Sequence, residues 1–273
     1  MRKYRFAGGK AIVTGAASGI GEALARDLGS RGSNLVLLDR DSAGLTRVSA
    51  DLGSKHPGIS VTTVTADLSD RDGTDEIGAQ LATQHPDTTL LINCAGVALG
   101  GTFDQVSLHD FNWLFDINFH GAVTLTHHLL PALRRNPGSH LANVSSVYGL
   151  FAPPGQAAYA SSKFALRGFT EALRAEADAW DLGVTCVHPG GIKTAIASNA
   201  RVGARLSSTE AQKSVDNINR SLTISTSDAA EIILRGIEGR KPRVLIGLSA
   251  KLPDTIVRIA PGNYMKVLRK LIG

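Results

Sequence analysis

Short apolar runs alternate with longer stretches of helical periodicity along the chain. Seven runs read as strands: Ala11–Thr14, Asn34–Leu38, Val61–Thr65, Leu90–Asn93, Leu141–Ser145, Val184–His188 and Val244–Gly247. Between them lie amphipathic segments such as Ile20–Leu28, where Ile20, Ala23, Leu24 and Leu28 fall at helical spacing. Strands in such alternation need crossover helices, so they pair in parallel within a sheet covered on both faces. The unbroken apolar character of Leu35–Leu38 and Leu90–Ile92 agrees, because a doubly covered strand has no polar face. No internal repeat or low-complexity linker interrupts the pattern. It predicts an α/β fold: a single doubly wound parallel sheet with helices on both faces, in one domain over residues 1–273.

Composition narrows the class. A chain 43% hydrophobic and 19% charged has the balance of an ordinary globular protein, which argues against disorder and coiled coil. No stretch approaches about 18 uninterrupted apolar residues, so no spanning helix is expected. The basic start, Met1 to Phe6, is not followed by a long apolar region, so no secretory signal is expected either. Cys94 and Cys186 lie far apart with no CxxC spacing. That excludes a disulfide framework or zinc site and makes a reducing cytoplasm the default. The eight histidines show no ligand spacing, and the adjacent His127 and His128 point apart on a helix, so no metal is expected. The net charge of +5 is localised: residues 1–225 carry 20 basic and 20 acidic side chains, residues 226–273 nine and four. A basic tail fits nucleic acid, anionic lipid or a solvated face. Without aromatic interleaving or a nucleic-acid motif, nucleic acid is set aside.

The turn after the first strand carries the first chemistry. Thr14-Gly15-Ala16-Ala17-Ser18-Gly19-Ile20-Gly21 leads straight into a helix. Glycines there let the backbone turn sharply and approach a pyrophosphate, which meets the N–H groups and positive dipole end of the helix. Asp39 ends the second strand, 18 residues after Gly21, where a carboxylate can accept from adenosine ribose hydroxyls. Arg40 adjoins it and offers a clamp for a 2′-phosphate, which keeps NADP open. The loop itself has no Lys or Arg, which leans toward NAD.

In order along residues 8–195, these and later residues resemble the short-chain dehydrogenase/reductase family, in its TGxxxGxG/YxxxK branch. The match comprises Thr14–Gly21, Asp67-Leu68, Asn93-Cys94-Ala95-Gly96, Asn118, Ser145-Ser146, Tyr159 through Lys163, and Pro189-Gly190 followed by Thr194. Cys94 departs from the usual Asn-Asn-Ala-Gly, but is small enough for the turn. The resemblance implies a Rossmann-like fold and a nicotinamide cofactor, NAD with NADP not excluded. It places Asp67 and Leu68 near adenine, Asn93, Ala95 and Gly96 beside the ribose, and Pro189, Gly190, Ile192 and Thr194 along the nicotinamide and its carboxamide. It also implies a homo-oligomer, with the helices around Asn118 and Tyr159 as contact surfaces.

The same resemblance assigns the catalysis. Oxidising an alcohol removes its hydroxyl proton while hydride leaves the same carbon. A free phenol, with pKa near 10, is a poor base at neutral pH. Lys163, four residues on, shares a helix face with Tyr159, and its ammonium favours the phenolate. Ser146, 13 residues before Tyr159, is the serine expected to hold the substrate oxygen, rather than Ser145. Asn118 falls within a predicted helix, where its propensity is poor, and is expected to hold a water linking the lysine to solvent.

Val97, Leu99, Val147, Tyr148, Phe151 and the segment 195–208, within a substrate loop over 194–225, are apolar or small residues for the pocket wall. They suggest an uncharged, hydrophobic secondary alcohol or ketone. Two other readings stay open: an NADPH-dependent carbonyl reductase of the same fold, and a non-catalytic nucleotide-binding scaffold. In the basic C-terminal extension, 248–273, Pro261-Gly262 ends any preceding helix and Asn263 caps a short one over Tyr264–Ile272. Lys266, Arg269 and Lys270 fall on one face, and the apolar residues on the other. Docking of that apolar face on the chain itself or on a neighbouring subunit is favoured over contact with an anionic membrane.

Overall fold

The apolar runs become the strands of one parallel sheet in the computed structural model, which describes residues 3–203 and 222–272. The strands are β1 (Lys10–Thr14), β2 (Asn34–Asp39), β3 (Val61–Thr65), β4 (Thr88–Asn93), β6 (His140–Val144), β7 (Gly183–Pro189) and β9 (Arg243–Ile246). They lie side by side as β3-β2-β1-β4-β6-β7-β9. Register is parallel throughout, with Val13 opposite both Leu37 and Ile92, Ile92 opposite Ala142, and Val187 opposite Val244. Most ends fall within a residue or two of the pattern. Ser145 lies just past β6, and Gly247, at φ +81°, terminates β9 rather than belonging to it.

Alternation along each strand builds two cores. Ala11, Val13, Leu35, Leu37 and Ile92 face α1 (Gly19–Ser30), α2 (Ser42–Lys55) and α7 (Thr226–Glu238). Ile12, Val36, Leu38, Leu91 and Leu141 face α3 (Arg71–Gln84), α5 (Gly121–Arg135) and α6 (Ala157–Ala177) on the other side. β3 is the exception to apolar strands. As the edge strand it leaves Thr62, Thr63 and Thr65 exposed.

The sheet grows from β1 through β2 to β3, then the chain returns to lay β4 on the other side of β1. At such a reversal the turns after the two central strands diverge and leave a crevice at their carboxyl ends. Helix α4 (Leu108–Phe115) continues into α5 through a π-helical turn, Asp116–His120, which carries Asn118.

Two short strands the apolar pattern does not announce, β5 (Leu99–Gly100) and β8 (Arg201–Val202), pair in parallel. They fasten the start of the 194–225 loop beside the segment after β4; residues 204–221 of that loop lie outside the described residues. After β9 come α8 (Leu248–Ile259) and α9 (Tyr264–Ile272), the latter with the predicted bounds. The Asn263 carbonyl accepts the first helical bonds, from the N–H groups of Lys266 and Val267. Leu268 is 3% exposed, while the N–H of Ala152 donates to the Tyr264 hydroxyl at 3.5 Å. The apolar side of α9 therefore docks on its own chain, with Lys266 and Lys270 outward. The side chains of Arg269, Leu271 and Ile272 fall outside the described ones. No helix among the described residues is long and apolar enough to cross a membrane.

Candidate active site

The crevice at the reversal is framed by the two motifs that follow β1 and β4. The Thr14 hydroxyl oxygen accepts from the N–H groups of both Cys94 and Ala95 at 3.0 Å, tying the strand ends together. Gly15 turns at φ +69°, and a Cβ there would stand 2.9 Å from the Ala95 Cα. A Cβ on Gly21 would collide with the Gly15 carbonyl, so the turn closes only with glycine at both places. Gly19, at φ +58°, leaves its backbone bare where a Cβ would stand 3.6 Å from the Thr194 methyl. Helix α1 begins there with Ser18 at its N-cap, and no side chain caps it. Asp41, Asp70, Ser107 and Ser225, by contrast, cap α2, α3, α4 and α7. Among the described residues the first-turn N–H groups of α1 thus have no side-chain acceptor, in a bare cradle beside Thr194, which fits a pyrophosphate. Ile20 packs against the core behind the turn.

Asp39 stands at the end of β2, as expected, and braces the same turn. Its carboxylate accepts from Ala17 N–H and Asp41 N–H, both at 3.0 Å. Arg40 is exposed and has no partner among the described residues. An arginine the sequence did not single out, Arg47, reaches back from α2 to the Ala17 carbonyl at 3.0 Å and to Glu22. Asp67 accepts from the Ser69 N–H and hydroxyl at 2.9 and 2.8 Å, and Leu68 packs beside Gly121. The Asn93 side chain turns into the molecule, donating to Asn143 at 2.8 Å and Thr126 at 3.0 Å. Its side chain belongs to a buried polar ladder under the sheet's end, and Ala95 and Gly96 follow where the chain leaves β4.

Opposite the glycine turn, α6 and the turn after β6 bring together the residues of the second expected group. Lys163 is buried, its ammonium donating to the Val144 carbonyl at 3.1 Å and lying 5.8 Å from the Tyr159 ring centre. Burial draws its pKa down to about 8. Burial also pushes Tyr159 up to about 12, against the pull of a hydrogen bond with Ser146; the nearby Tyr148 adds to the rise. The two serines divide their work. Ser145 donates to the Lys163 carbonyl at 2.9 Å and anchors α6, whereas Ser146 takes Tyr148 N–H on its oxygen at 3.1 Å and lies beside Tyr159.

Asn118 is 1% exposed. Its amide oxygen takes Val97 N–H at 2.8 Å, and its NH2 donates to the Val97 carbonyl and the Ser162 hydroxyl. The expected water-holding side chain is thus committed to bracing Val97 and α6. Gly96 keeps this group compact, since a Cβ would come within 3.2 Å of the Lys163 ammonium and 3.3 Å of the Asn118 oxygen.

Pro189 through Gly191 line the far wall. Pro189 ends β7, Gly190 packs so closely on α8 that a Cβ would meet Ser249 at 2.7 Å, and Gly191 turns at φ +68°. Ile192 is buried and bridges to Ile224; Thr194 follows over the glycine turn. Of the expected pocket wall, Tyr148 meets Tyr159 and Phe151 edge to face at 6.1 and 5.4 Å, and Val97 and Val147 are half-buried. Leu99, at 1% exposure, is core instead, because β5 packs it under α4 and α6. Arg201 stacks on Trp113 at 3.5 Å and pairs with Asp110 at 3.0 Å, holding the loop down.

Known proteins resemble the chain in sequence and fold. A family model described as short chain dehydrogenase matches residues 9–204. A candidate oxidoreductase, SadH of Mycobacterium tuberculosis, is 37% identical over 273 aligned positions, covering 96% of this chain and 95% of that protein. Dehydrogenase/reductase SDR family member 7B of Danio rerio is 30% identical over 94% of this chain and 83% of its own length. Among solved structures, a short chain dehydrogenase/reductase from Burkholderia phymatum, in complex with NAD, superposes with a TM-score of 0.84 at 27% identity over 95% of both chains.

Proposed function

The chain belongs to the short-chain dehydrogenase family, and on that premise we propose that it is an NAD-linked oxidoreductase of uncharged, apolar secondary alcohols and ketones, with Tyr159 as the acid/base. The carrying observation is the meeting of Tyr159, Ser146 and Lys163 beside Gly96, across the crevice from an uncapped helix start. When bound, the nicotinamide supplies the hydride acceptor or donor. The bare turn at Gly15–Gly21 and the first-turn N–H groups of α1 would hold the pyrophosphate, and Asp39 would accept from the adenosine ribose.

Around the reacting carbon the side chains have separate tasks. The N–H of Tyr148 fills a lone pair of the Ser146 oxygen, and the Ser146 hydrogen, which without substrate bonds Tyr159, would turn to steady the substrate oxygen. A phenol held near 12 is neutral at pH 7 and ready to give its proton to the oxygen as a carbonyl is reduced. In oxidation it must accept that proton. The Lys163 ammonium, largely charged below its pKa of about 8, favours the phenolate, as does the positive charge of the oxidised cofactor. Tyr148, Phe151, Val97 and Val147 give the wall an apolar character that suits an uncharged substrate.

Asp39 points to NAD, because a carboxylate facing a 2′-phosphate costs several kcal/mol. Arg40 and Arg47 stand within the same corner and support the NADP alternative. A panel of secondary alcohols and ketones, followed by NADH and NADPH absorbance, tests the proposal. We expect kcat/KM for NAD to exceed that for NADP by at least about tenfold, roughly 1.4 kcal/mol. Preference for NADPH would overturn the cofactor choice, and turnover with neither, despite cofactor binding, would revive the scaffold reading. Assembly into a homo-oligomer through α4–α5 and α6 is part of the proposal, supported by Phe164, 39% exposed on α6. Light scattering checks it.

A further inference from the structure

His188 is fully buried near the end of β7, where a purely apolar side chain would pack without penalty. Its Nδ1 lies 2.9 Å from the Ser146 carbonyl oxygen, while Nε2 is buried with no partner among the described residues. A carbonyl only accepts, so the contact is a hydrogen bond only if Nδ1 carries the ring's proton. Nε2 is then a bare lone pair in the interior, an arrangement that costs stability and calls for a reason. Burial, reinforced by Arg243 and Arg167, holds the ring's pKa at about 4, so it stays neutral with a single N–H at physiological pH.

The acceptor of that N–H is the residue whose hydroxyl meets Tyr159. Ser146 is extended (φ −164°, ψ 167°) and starts the 3-10 turn Val147–Gly149. Its carbonyl takes Gly149 N–H at 3.0 Å as well as the His188 ring, and its hydroxyl oxygen takes Tyr148 N–H at 3.1 Å. The first and last of these arise within the turn itself. β7 holds the preceding residue through Ser145 N–H to the Val187 carbonyl at 2.8 Å, but among the described residues the His188 bond alone ties the Ser146 carbonyl to that strand, which runs on into the Pro189–Gly191 turn along the opposite wall of the site. Loss of the bond leaves the Ser146 carbonyl held by Gly149 N–H alone, within its own turn, so the turn can shift relative to β7 and carry with it the hydroxyl beside Tyr159.

We propose that His188, through an Nδ1–H bond to the Ser146 carbonyl, is a positioning residue that fixes the Ser146 hydroxyl against Tyr159 and couples that turn to the Pro189–Gly191 wall. The part concerning catalysis rests on the proposed function; the tautomer and the bond do not. A misplacement of the order of one ångström at a catalytic group costs up to about a hundredfold in rate. Asparagine places its NH2 near the position of Nδ1, glutamine near that of Nε2, and leucine offers no donor.

The test therefore pairs three variants with a measurement on the unaltered chain. We expect His188→Asn to keep kcat within about threefold, and His188→Gln and His188→Leu to lose about ten- to a hundredfold. Cofactor Kd and substrate KM should move by less than about threefold in all three, a split that general loosening of the fold would not give. In the ¹⁵N-histidine spectrum of the wild-type chain, Nδ1 should carry the proton from pH 6 to 8, with a through-bond coupling to the Ser146 carbonyl carbon. Wild-type kcat in His188→Leu, or equal losses in the Asn and Gln variants, would overturn the positioning role. A protonated Nε2 or a missing coupling would overturn it even if no variant folds. A wild-type chain with the coupling but without turnover on any substrate would sink the enzyme reading alone.

Discussion

Gly96 lacks a side chain where Lys163 and Asn118 already fill the space, and that makes it a sensitive point of the site. Gly96→Ala puts a methyl 3.2 Å from the Lys163 ammonium. The lysine must shift from the Val144 carbonyl, and the field it exerts on Tyr159 changes with it. We expect kcat to fall about tenfold or more while thermal stability changes little, as kinetics beside a melting curve will show. Asp39→Ala acts at the other end of the crevice. It removes two braces of the glycine turn and the carboxylate proposed to face the ribose, so the NAD-over-NADP ratio should narrow while cofactor binding as a whole weakens. Residues of this kind were readable in the sequence because the turn demands glycine and strand-end carboxylates sit at fixed offsets. Arg47 was not, since its contact with Ala17 spans 30 positions and follows only from how α2 packs on α1.

At the scale of elements, the apolar runs marked the strands and their place in a parallel sheet covered on both faces, because a strand buried on both sides must be apolar throughout; their order came only with the structure. β5 and β8 escaped that logic: they are two residues each and held by backbone pairing and by Arg201. The π-helical turn at Asn118 and the Asn93–Asn143 ladder escaped it too, since both depend on partners tens of residues away. The β5–β8 clasp holds the substrate loop, and Arg201→Ala removes its stack on Trp113 and its pairing with Asp110. An exposed cation–π contact with a surface ion pair is worth about 1 kcal/mol. KM for substrate should therefore rise about fivefold with kcat nearly unchanged; a fall in kcat with unaltered KM would place Arg201 in the chemistry instead.

Over the whole molecule, two buried rings and the tail each make a measurable contribution to stability beside the two apolar cores. Burial holds His140 at about 3 and His188 at about 4, both below the free value of 6.5. Between those values the unfolded chain binds protons the folded chain refuses, so this contribution is present above pH 6.5 and is lost as pH falls toward 4. The loss approaches about 1.4 kcal/mol per pH unit for each ring, and urea unfolding at pH 7 and pH 5 measures it. Truncation after Pro261 removes α9 and the buried Leu268, at a cost of about 2 kcal/mol and several degrees of melting temperature. Liposome co-sedimentation should be unaffected; salt-sensitive binding to anionic vesicles lost on truncation, with melting unchanged, would assign the tail to a membrane surface instead. The central claim is that the Tyr159 hydroxyl moves the proton while hydride crosses to or from the cofactor. Tyr159→Phe keeps the ring against Tyr148 and removes only that oxygen. Its single-turnover rate with a ketone and NADH, measured beside its NADH Kd, should fall by about 10²–10⁴ with the Kd nearly unchanged. A wild-type rate, with the chemical step shown to limit it, would contradict the account.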